Sequence, residues 1–269
     1  MTTLRMFVTD LDGTVLGPDL TLSPRTRQAF AALASRGCRA VIATGRMLEA
    51  ARPFADELGL TTPLITYNGA WVRCLESETD LLHEAVPAET AAQVVAALEQ
   101  AGLHVNLYRD DRVYMRQRTP EAEAYVAHAR VEPVYCGDWS ELGACAPTKI
   151  LAIGPEPHVV SVLAALQERF AGRLWMTQSM PTFLEIAHPC VNKGAAVAHL
   201  AARWGLEAAA VAAVGDGLND VEMLAWAGLG VAMGNAHPEL KRRADRVTGS
   251  VEADGVATLI ESLIAEGRV

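Results

Sequence analysis

The sequence predicts an α/β protein, a doubly wound parallel sheet interrupted in mid-chain by an inserted α+β domain. Three observations carry that expectation. Short apolar strands alternate with helices in the first and last thirds, which calls for parallel strands covered on both faces. The middle third holds strands in adjacent pairs, the pattern of an antiparallel sheet with helices on one face. Polar clusters recur where strands end or helices begin, and open parallel sheets bind ligands beyond the carboxyl ends of their strands.

Taken in order, residues 5–9 read as a buried strand. Ser23-Pro24 supplies an N-cap and a proline at the first helical position, so a helix is expected to Arg36, with Gly37 as its stop. Residues 38–43 (CRAVIA) form a second strand, 47–58 a helix ending at Gly59, and 64–67 (LITY) a third strand running into Asn68-Gly69. The inserted domain is expected over 83–187, with the core made of 1–82 and 188–269. Within it lie helix 88–100, a strand pair 105–108 and 112–116, helix 120–130, strand 149–153, helix 159–170, and a second pair 174–178 and 182–186. The returning half reads as helix 193–204 stopped by Gly205, strand 209–214 (AAVAAV), a Gly215-Asp216-Gly217 turn, helix 218–227, strand 229–233 and a closing helix 255–266.

Composition narrows the function classes. The 269 residues are 51% hydrophobic, enough for a sizeable core, and carry a formal net charge of −9. That charge argues against broad, sequence-independent nucleic-acid binding, which needs a Lys/Arg surface. Cys38, Cys74, Cys136, Cys145 and Cys190 are scattered, odd in number and form no CxxC pair; they read as reduced thiols of a cytoplasmic protein. Asp10 interrupts the first apolar stretch, so no signal peptide is expected. The longest apolar runs, such as 208–214, fall far below the roughly 20 residues of a membrane span. Monomer and homodimer both stay open.

Two aspartates, Asp10 and Asp12, stand at the end of the first strand. Like charges repel and carboxylates are costly to bury, so something must favour the pairing. The second strand delivers Thr44-Gly45-Arg46; the strand ending at Val214 delivers Asp216, with Asn219 and Asp220 just beyond; Lys193 opens a helix. Asp10, Asp12 and Asp216 make an oxygen-rich set suited to Mg²⁺, which takes a few protein oxygens and completes its shell with water and phosphate. A cation offsets the repulsion. Lys193, the Thr44 hydroxyl and turn amides suit a phosphate dianion and the charge on its transferring oxygens. Singly, each piece has a plainer reading: Asp-x-Asp or Thr-Gly as turn chemistry, Asn192 or Asn219 as a helix cap. Their joint occurrence, in order and each at a strand end or helix start, is what points to phosphoryl chemistry. Arg46 has two readings, a contact to phosphate or a second anionic group, or a pair with an acid such as Glu49.

In these residues the sequence resembles the haloacid dehalogenase (HAD) superfamily, and within it the Cof-type phosphatases with an α/β cap of subclass IIB. The motif DxDGT stands as Asp10-Leu11-Asp12-Gly13-Thr14, the second-strand Ser/Thr as Thr44, the lysine as Lys193, and GDxxND as Gly215–Asp220. Tyr67-Asn68-Gly69-Ala70 and Leu184-Glu185-Ile186 also look like this branch. The resemblance covers essentially the whole chain and implies a Rossmann-like core with 83–187 as cap. It implies Asp10 as nucleophile and Asp12 as general acid and base. It implies Mg²⁺ held by Asp10, the Asp12 backbone carbonyl and Asp216, with Asp220 acting directly or through water. Thr44 and Lys193 would hold phosphate oxygens, Gly45 and Arg46 would line the substrate site, and Asn219 would support the phosphate or the metal's waters. The expected substrate is a small phosphorylated metabolite, sugar phosphates first, with cap contacts drawn from Asn106, Arg109, Arg116 and Gln178. A phosphomutase of the same cap class and a non-catalytic, receiver-like phospho-switch are the competing readings. His83, His104, His128 and His188 are isolated and read as ordinary surface or boundary residues.

Overall fold

A computed structural model of the chain describes residues 2–129 and 131–269, without the side chain of His128. The expected helix end at Arg130 and the reading of His128 lie outside the described residues. The chain divides into two compact units, one of residues up to 82 together with 192–269, the other of residues 83–191. The second crossing thus falls after Val191, where 187 was expected. A turn closed by the Val191 amide on the His188 carbonyl (3.0 Å), with His188 3.5 Å from Glu84, keeps 188–191 with the inserted unit.

In chain order the elements are β1 (Met6–Thr9), α1 (Pro24–Ser35), β2 (Arg39–Ile42), α2 (Leu48–Glu57), β3 (Leu64–Thr66), β4 (Trp71–Arg73) and β5 (Asp80–His83). The inserted unit holds α3 (Ala88–Gln100), β6 (His104–Arg109), β7 (Arg112–Met115), α4 (Pro120–Ala129), β8 (Val134–Tyr135), β9 (Lys149–Ile153), α5 (Glu156–Arg169), β10 (Trp175–Met180) and β11 (Phe183–Ala187). The chain returns through α6 (Lys193–Arg203), β12 (Val211–Gly215), α7 (Val221–Trp226), β13 (Leu229–Ala232), α8 (Pro238–Arg243), β14 (Arg246–Val247) and α9 (Gly255–Ala265).

The first unit is built on a five-stranded sheet in the order β14-β13-β12-β1-β2, parallel throughout. β1 and β12 run in register, Met6 opposite Val211 and Thr9 opposite Val214. Strand order reverses between them, and the crevice beyond their carboxyl ends is where such sheets bind ligands. Every residue of β1, β12 and β13 is buried, which is why these strands read as continuous apolar runs. Phe7, Val8, Val41, Ala213 and Val214 pack with Phe30, Leu33, Leu200 and Ile260 in one core. The helix starts follow their side chains. Ser23 Oγ accepts from the Thr26 amide at 3.0 Å, and Asn192 Oδ1 from the Ala195 amide at 2.7 Å.

Three expectations need correction. β3 belongs to a separate sheet, β3-β4-β5, and pairs antiparallel with β4; a single parallel bridge, Ala43 to Ile65, ties it toward the main sheet. The reason is a reversal at Tyr67, Asn68 and Gly69, whose φ angles are all positive. The strand expected from 209 begins at Val211, because Ala208–Ala210 close a 3₁₀ turn. The helix expected over 218–227 is a 3₁₀ turn, Leu218–Asp220, followed by the six-residue α7.

The inserted unit carries a six-stranded sheet in the order β10-β11-β9-β6-β7-β8, antiparallel except for the short β7–β8 pair. Val94, Leu98, Val159 and Leu166 of α3 and α5 pack on Leu107, Ile150, Leu184 and Ile186 of the sheet. No helix among the described residues is long and apolar enough to cross a membrane.

Candidate active site

β1 ends at Thr9, so Asp10 is the first residue beyond the sheet, its amide bonded to the Val214 carbonyl of β12 at 3.0 Å. The next turn folds back on itself, with the Gly13 amide on the Leu16 carbonyl at 2.8 Å. Gly13 has φ +75°, and a Cβ there would lie 2.3 Å from Asp216 Oδ2. Only glycine lets the turn sit against that carboxylate. Thr14 Oγ1 donates to the other oxygen of Asp216 at 3.0 Å. The turn after β1 and the turn after β12 are thus fixed to one another by side chains of both.

Lys193, the first residue of α6, is fully buried. Its Nζ lies 2.6 Å from Asp10 Oδ1 and 2.7 Å from Asp220 Oδ1. Asp220, also fully buried, uses Oδ2 to accept the Asp216 and Gly217 amides, each at 2.9 Å. It therefore holds both the lysine and the Asp216 turn. Carboxylate oxygens of Asp10, Asp216 and Asp220 all lie within 4.8 Å of one another. Three acids, Asp10 and Asp220 buried and Asp216 half-buried, outnumber one lysine, and the imbalance appears in the acidities of Asp10 and Asp216. Burial pushes Asp10 up to about 8, with Asp220 and Asp216 adding to it and Lys193 opposing. Burial, then Asp220, push Asp216 up to about 6 against the Thr14 hydrogen bond and Lys193. Burial pulls Lys193 down, but Asp10 and Asp220 outweigh it and hold the ammonium above its ordinary pKa. A cluster short of positive charge, with clustered oxygens and a glycine cradle under Asp216, fits a hard divalent cation.

The remaining predicted residues converge on the same unit. Thr44 is fully buried and its Oγ1 accepts the Arg46 amide at 3.1 Å. Arg46 takes Asp12 as partner, Nε to Oδ2 at 2.8 Å and Nη2 to Oδ1 at 2.5 Å, and lies over the Phe54 ring at 5.0 Å. Neither reading of Arg46 had chosen Asp12. Asn219 does not cap a helix; its Nδ2 donates to Asn68 Oδ1 at 2.9 Å. Gly45 faces that same Asn68 carboxamide, 3.0 Å from where a Cβ would stand.

Three contributors carry no role in the sequence reading: Thr14 and Asn68, which stand in its motifs, and Asn235, which it does not name. Asn235 donates to the Gly13 carbonyl at 2.7 Å and accepts from the Val251 amide at 2.9 Å, bracing the turn after Asp12. It follows β13, so the strand-end rule that found the other residues also reaches it.

Within the inserted unit, Asn106 is fully buried and its Oδ1 meets His104 Nε2 at 2.8 Å. β6 alternates, and Asn106 shares a face with His104, whose Nδ1 lies 3.2 Å from Thr119 at the start of α4. Arg109 bonds the Leu142 carbonyl at 2.9 Å, Arg116 bonds Glu99 at 2.9 Å, and Gln178 bonds the Pro181 carbonyl at 2.8 Å. His83 meets Thr148 at 2.8 Å. Lys149 and Glu185, nearly buried and 3.5 Å apart, are a charged pair, of which the sequence reading singles out only Glu185 and gives it no partner.

The chain matches the haloacid dehalogenase-like hydrolase family over residues 7–260. It is 31% identical over 260 residues to the HMP-PP phosphatase of Serratia proteamaculans, covering 96% of this chain and 94% of that one. With the pyridoxal phosphate phosphatase YbhA of Escherichia coli it shares 31% identity over 269 residues, 97% of this chain and 98% of the other. Its fold is similar to a crystal structure from Thermotoga maritima, with TM-score 0.88 and 34% identity over 96% of this chain and 97% of that one. The chain therefore belongs to the haloacid dehalogenase-like hydrolases. It is an enzyme of that class, and the non-catalytic, receiver-like reading falls away.

Proposed function

We propose that this hydrolase is a Mg²⁺-dependent phosphatase of small phosphorylated metabolites, working through an aspartyl-phosphate on Asp10. The observation that carries the reading is the buried Lys193 bridging Asp10 and Asp220 with Asp216 alongside. An uncompensated acid at a strand end is costly; one held by a lysine and ready for a cation is a usable nucleophile. Asp10, Asp216 and the Asp12 carbonyl would hold the Mg²⁺, with Asp220 acting through the turn it bonds. Bound there, the cation supplies charge neutralisation for phosphate oxygens and keeps the carboxylates ionised.

The protein groups then divide the work. An Asp10 carboxylate oxygen attacks phosphorus in line as the bond to the leaving oxygen breaks, and Asp12 gives that oxygen its proton. Water then attacks the same phosphorus while Asp12 takes its proton, releasing inorganic phosphate and restoring the Asp10 carboxylate. Lys193 and the Thr44 hydroxyl hold phosphate oxygens, with Gly45 leaving room and Asn219 supporting them. Arg46, already at Asp12, is set to trade that partner for an anionic group of the substrate.

Sugar phosphates remain the first substrate class by resemblance. The names of the two phosphatase relatives add phosphorylated heterocycles to the panel that must be tried. The test is phosphate release from a broad set of phosphate monoesters with Mg²⁺, with Asp10→Asn as control. Release by the unaltered enzyme and none by the variant is the expected result. Equal release by both would end the proposal.

A further inference from the structure

Three successive residues, Tyr67, Asn68 and Gly69, have φ of 52°, 57° and 101°. Left-handed backbone costs a non-glycine residue about 1–2 kcal/mol, and such strain collects where surrounding structure and function demand it. Here the demand comes from three sides. The Tyr67 amide bonds the Arg46 carbonyl at 3.0 Å and the Asn68 amide bonds the Thr44 carbonyl at 2.9 Å, so the turn is laid backbone to backbone on Thr44-Gly45-Arg46. Gly69 lies against the Asn192 carbonyl, 2.4 Å from where its Cβ would be, one residue before Lys193. The Asn68 side chain, nearly buried, faces Gly45 and takes the Asn219 carboxamide at 2.9 Å.

From this geometry we infer that Asn68 is a positioning residue for phosphate binding. Its carboxamide fixes the rotamer of Asn219, and its strained backbone holds the Thr44–Arg46 turn at the distance phosphate requires. An asparagine suits both duties: it tolerates the left-handed region better than other non-glycine residues, and its oxygen accepts a hydrogen bond that a glycine could not. The inference rests on the phosphatase reading, because it assigns Asn219 and Thr44 to the phosphate.

Asn68→Gly separates the two duties, since glycine keeps the backbone conformation at no steric cost and deletes only the carboxamide. The experiment measures kcat and KM for para-nitrophenyl phosphate with Mg²⁺, and the inorganic phosphate concentration that protects against thermal unfolding, for the unaltered enzyme, Asn68→Gly, Asn219→Ala and the double variant. We expect melting temperature to hold in Asn68→Gly, while KM and the protective phosphate concentration rise about 10-fold or more, the scale of a displaced binding group. Acting through Asn219, Asn68 adds nothing once Asn219 is gone, so the double variant should match Asn219→Ala. A KM within twofold of the unaltered enzyme, or effects that multiply in the double variant, would overturn the inference. Absent turnover with phosphate protection still dependent on Asn68 would remove the phosphatase reading alone. A protein neither turning over nor protected by phosphate would overturn both.

Discussion

Lys193 is the residue on which the site's balance turns. With both of its carboxylate partners buried, removing the ammonium leaves uncompensated charge in the interior. Lys193→Met is expected to lower the stability of the metal-free protein by about 3–5 kcal/mol, the usual cost of breaking one side of a buried pair. Urea unfolding measures it, and added Mg²⁺ should restore part of the loss by neutralising the same acids. A variant as stable as the parent would show that the three charges are solvated rather than paired. Asp10, Lys193, Asp216 and Asp220 were legible because each is a charged residue at a strand end or helix start, and the chemistry of the ends identified them. Arg46 was legible as a candidate but not by its partner. Nothing in spacing distinguishes Asp12 from Glu49 as the acid it meets.

At the scale of elements, close backbone contacts decide what sequence could and could not say. α6 and α7 meet at Gly194, where a Cβ would lie 2.5 Å from the Glu222 carbonyl oxygen. Glycine to alanine within a helix ordinarily stabilises by about 1 kcal/mol. Here the sign is expected to invert, with Gly194→Ala costing about 1–3 kcal/mol as the helices are forced apart. A thermal melt shows which; a raised Tm would mean the two helices separate freely. The strands and helices of the doubly wound sheet were readable from apolar runs and their glycine stops. The β3–β4 reversal was not read, although Asn-Gly is a pair typical of hairpin turns, because the preceding apolar run LITY continued the parallel pattern. Tyr67, the fourth residue of that run, gives no local sign of a left-handed conformation. The alanines at 209 and 210 read as strand for the same reason, though alanine favours helical turns.

For the whole molecule, the acid cluster links folding to pH and, on the proposed function, would link it to Mg²⁺. Asp10 and Asp216 are raised from the ordinary 3.8 to about 8 and about 6, so the folded state binds their protons more tightly than the unfolded one. Their contribution to stability is greatest below about pH 4, falls as pH rises while only the unfolded chain ionises, and is fully lost above about pH 8. A bound cation reverses this by favouring the ionised carboxylates, and its binding near neutral pH expels protons. Mg²⁺ is therefore expected to raise Tm more at pH 8 than at pH 5, and calorimetry in buffers of different ionisation enthalpy should register proton release. A larger stabilisation at pH 5 would contradict the assignment of these carboxylates to the metal. The two-unit division was legible in outline, from paired strands between alternating ones, and the buried parallel core from the alternation of apolar strands with helices. The exact crossing was not, since the 188–191 turn carries no signal of which unit it joins.

The central claim is that phosphate passes through Asp10. Its most direct measurement is acid-quenched labelling of the enzyme by a phosphate-labelled substrate in the presence of Mg²⁺. The account predicts a hydroxylamine-labile label on Asp10 in the unaltered enzyme, more persistent in Asp12→Asn, and none in Asp10→Asn. Label that persisted in Asp10→Asn would contradict it.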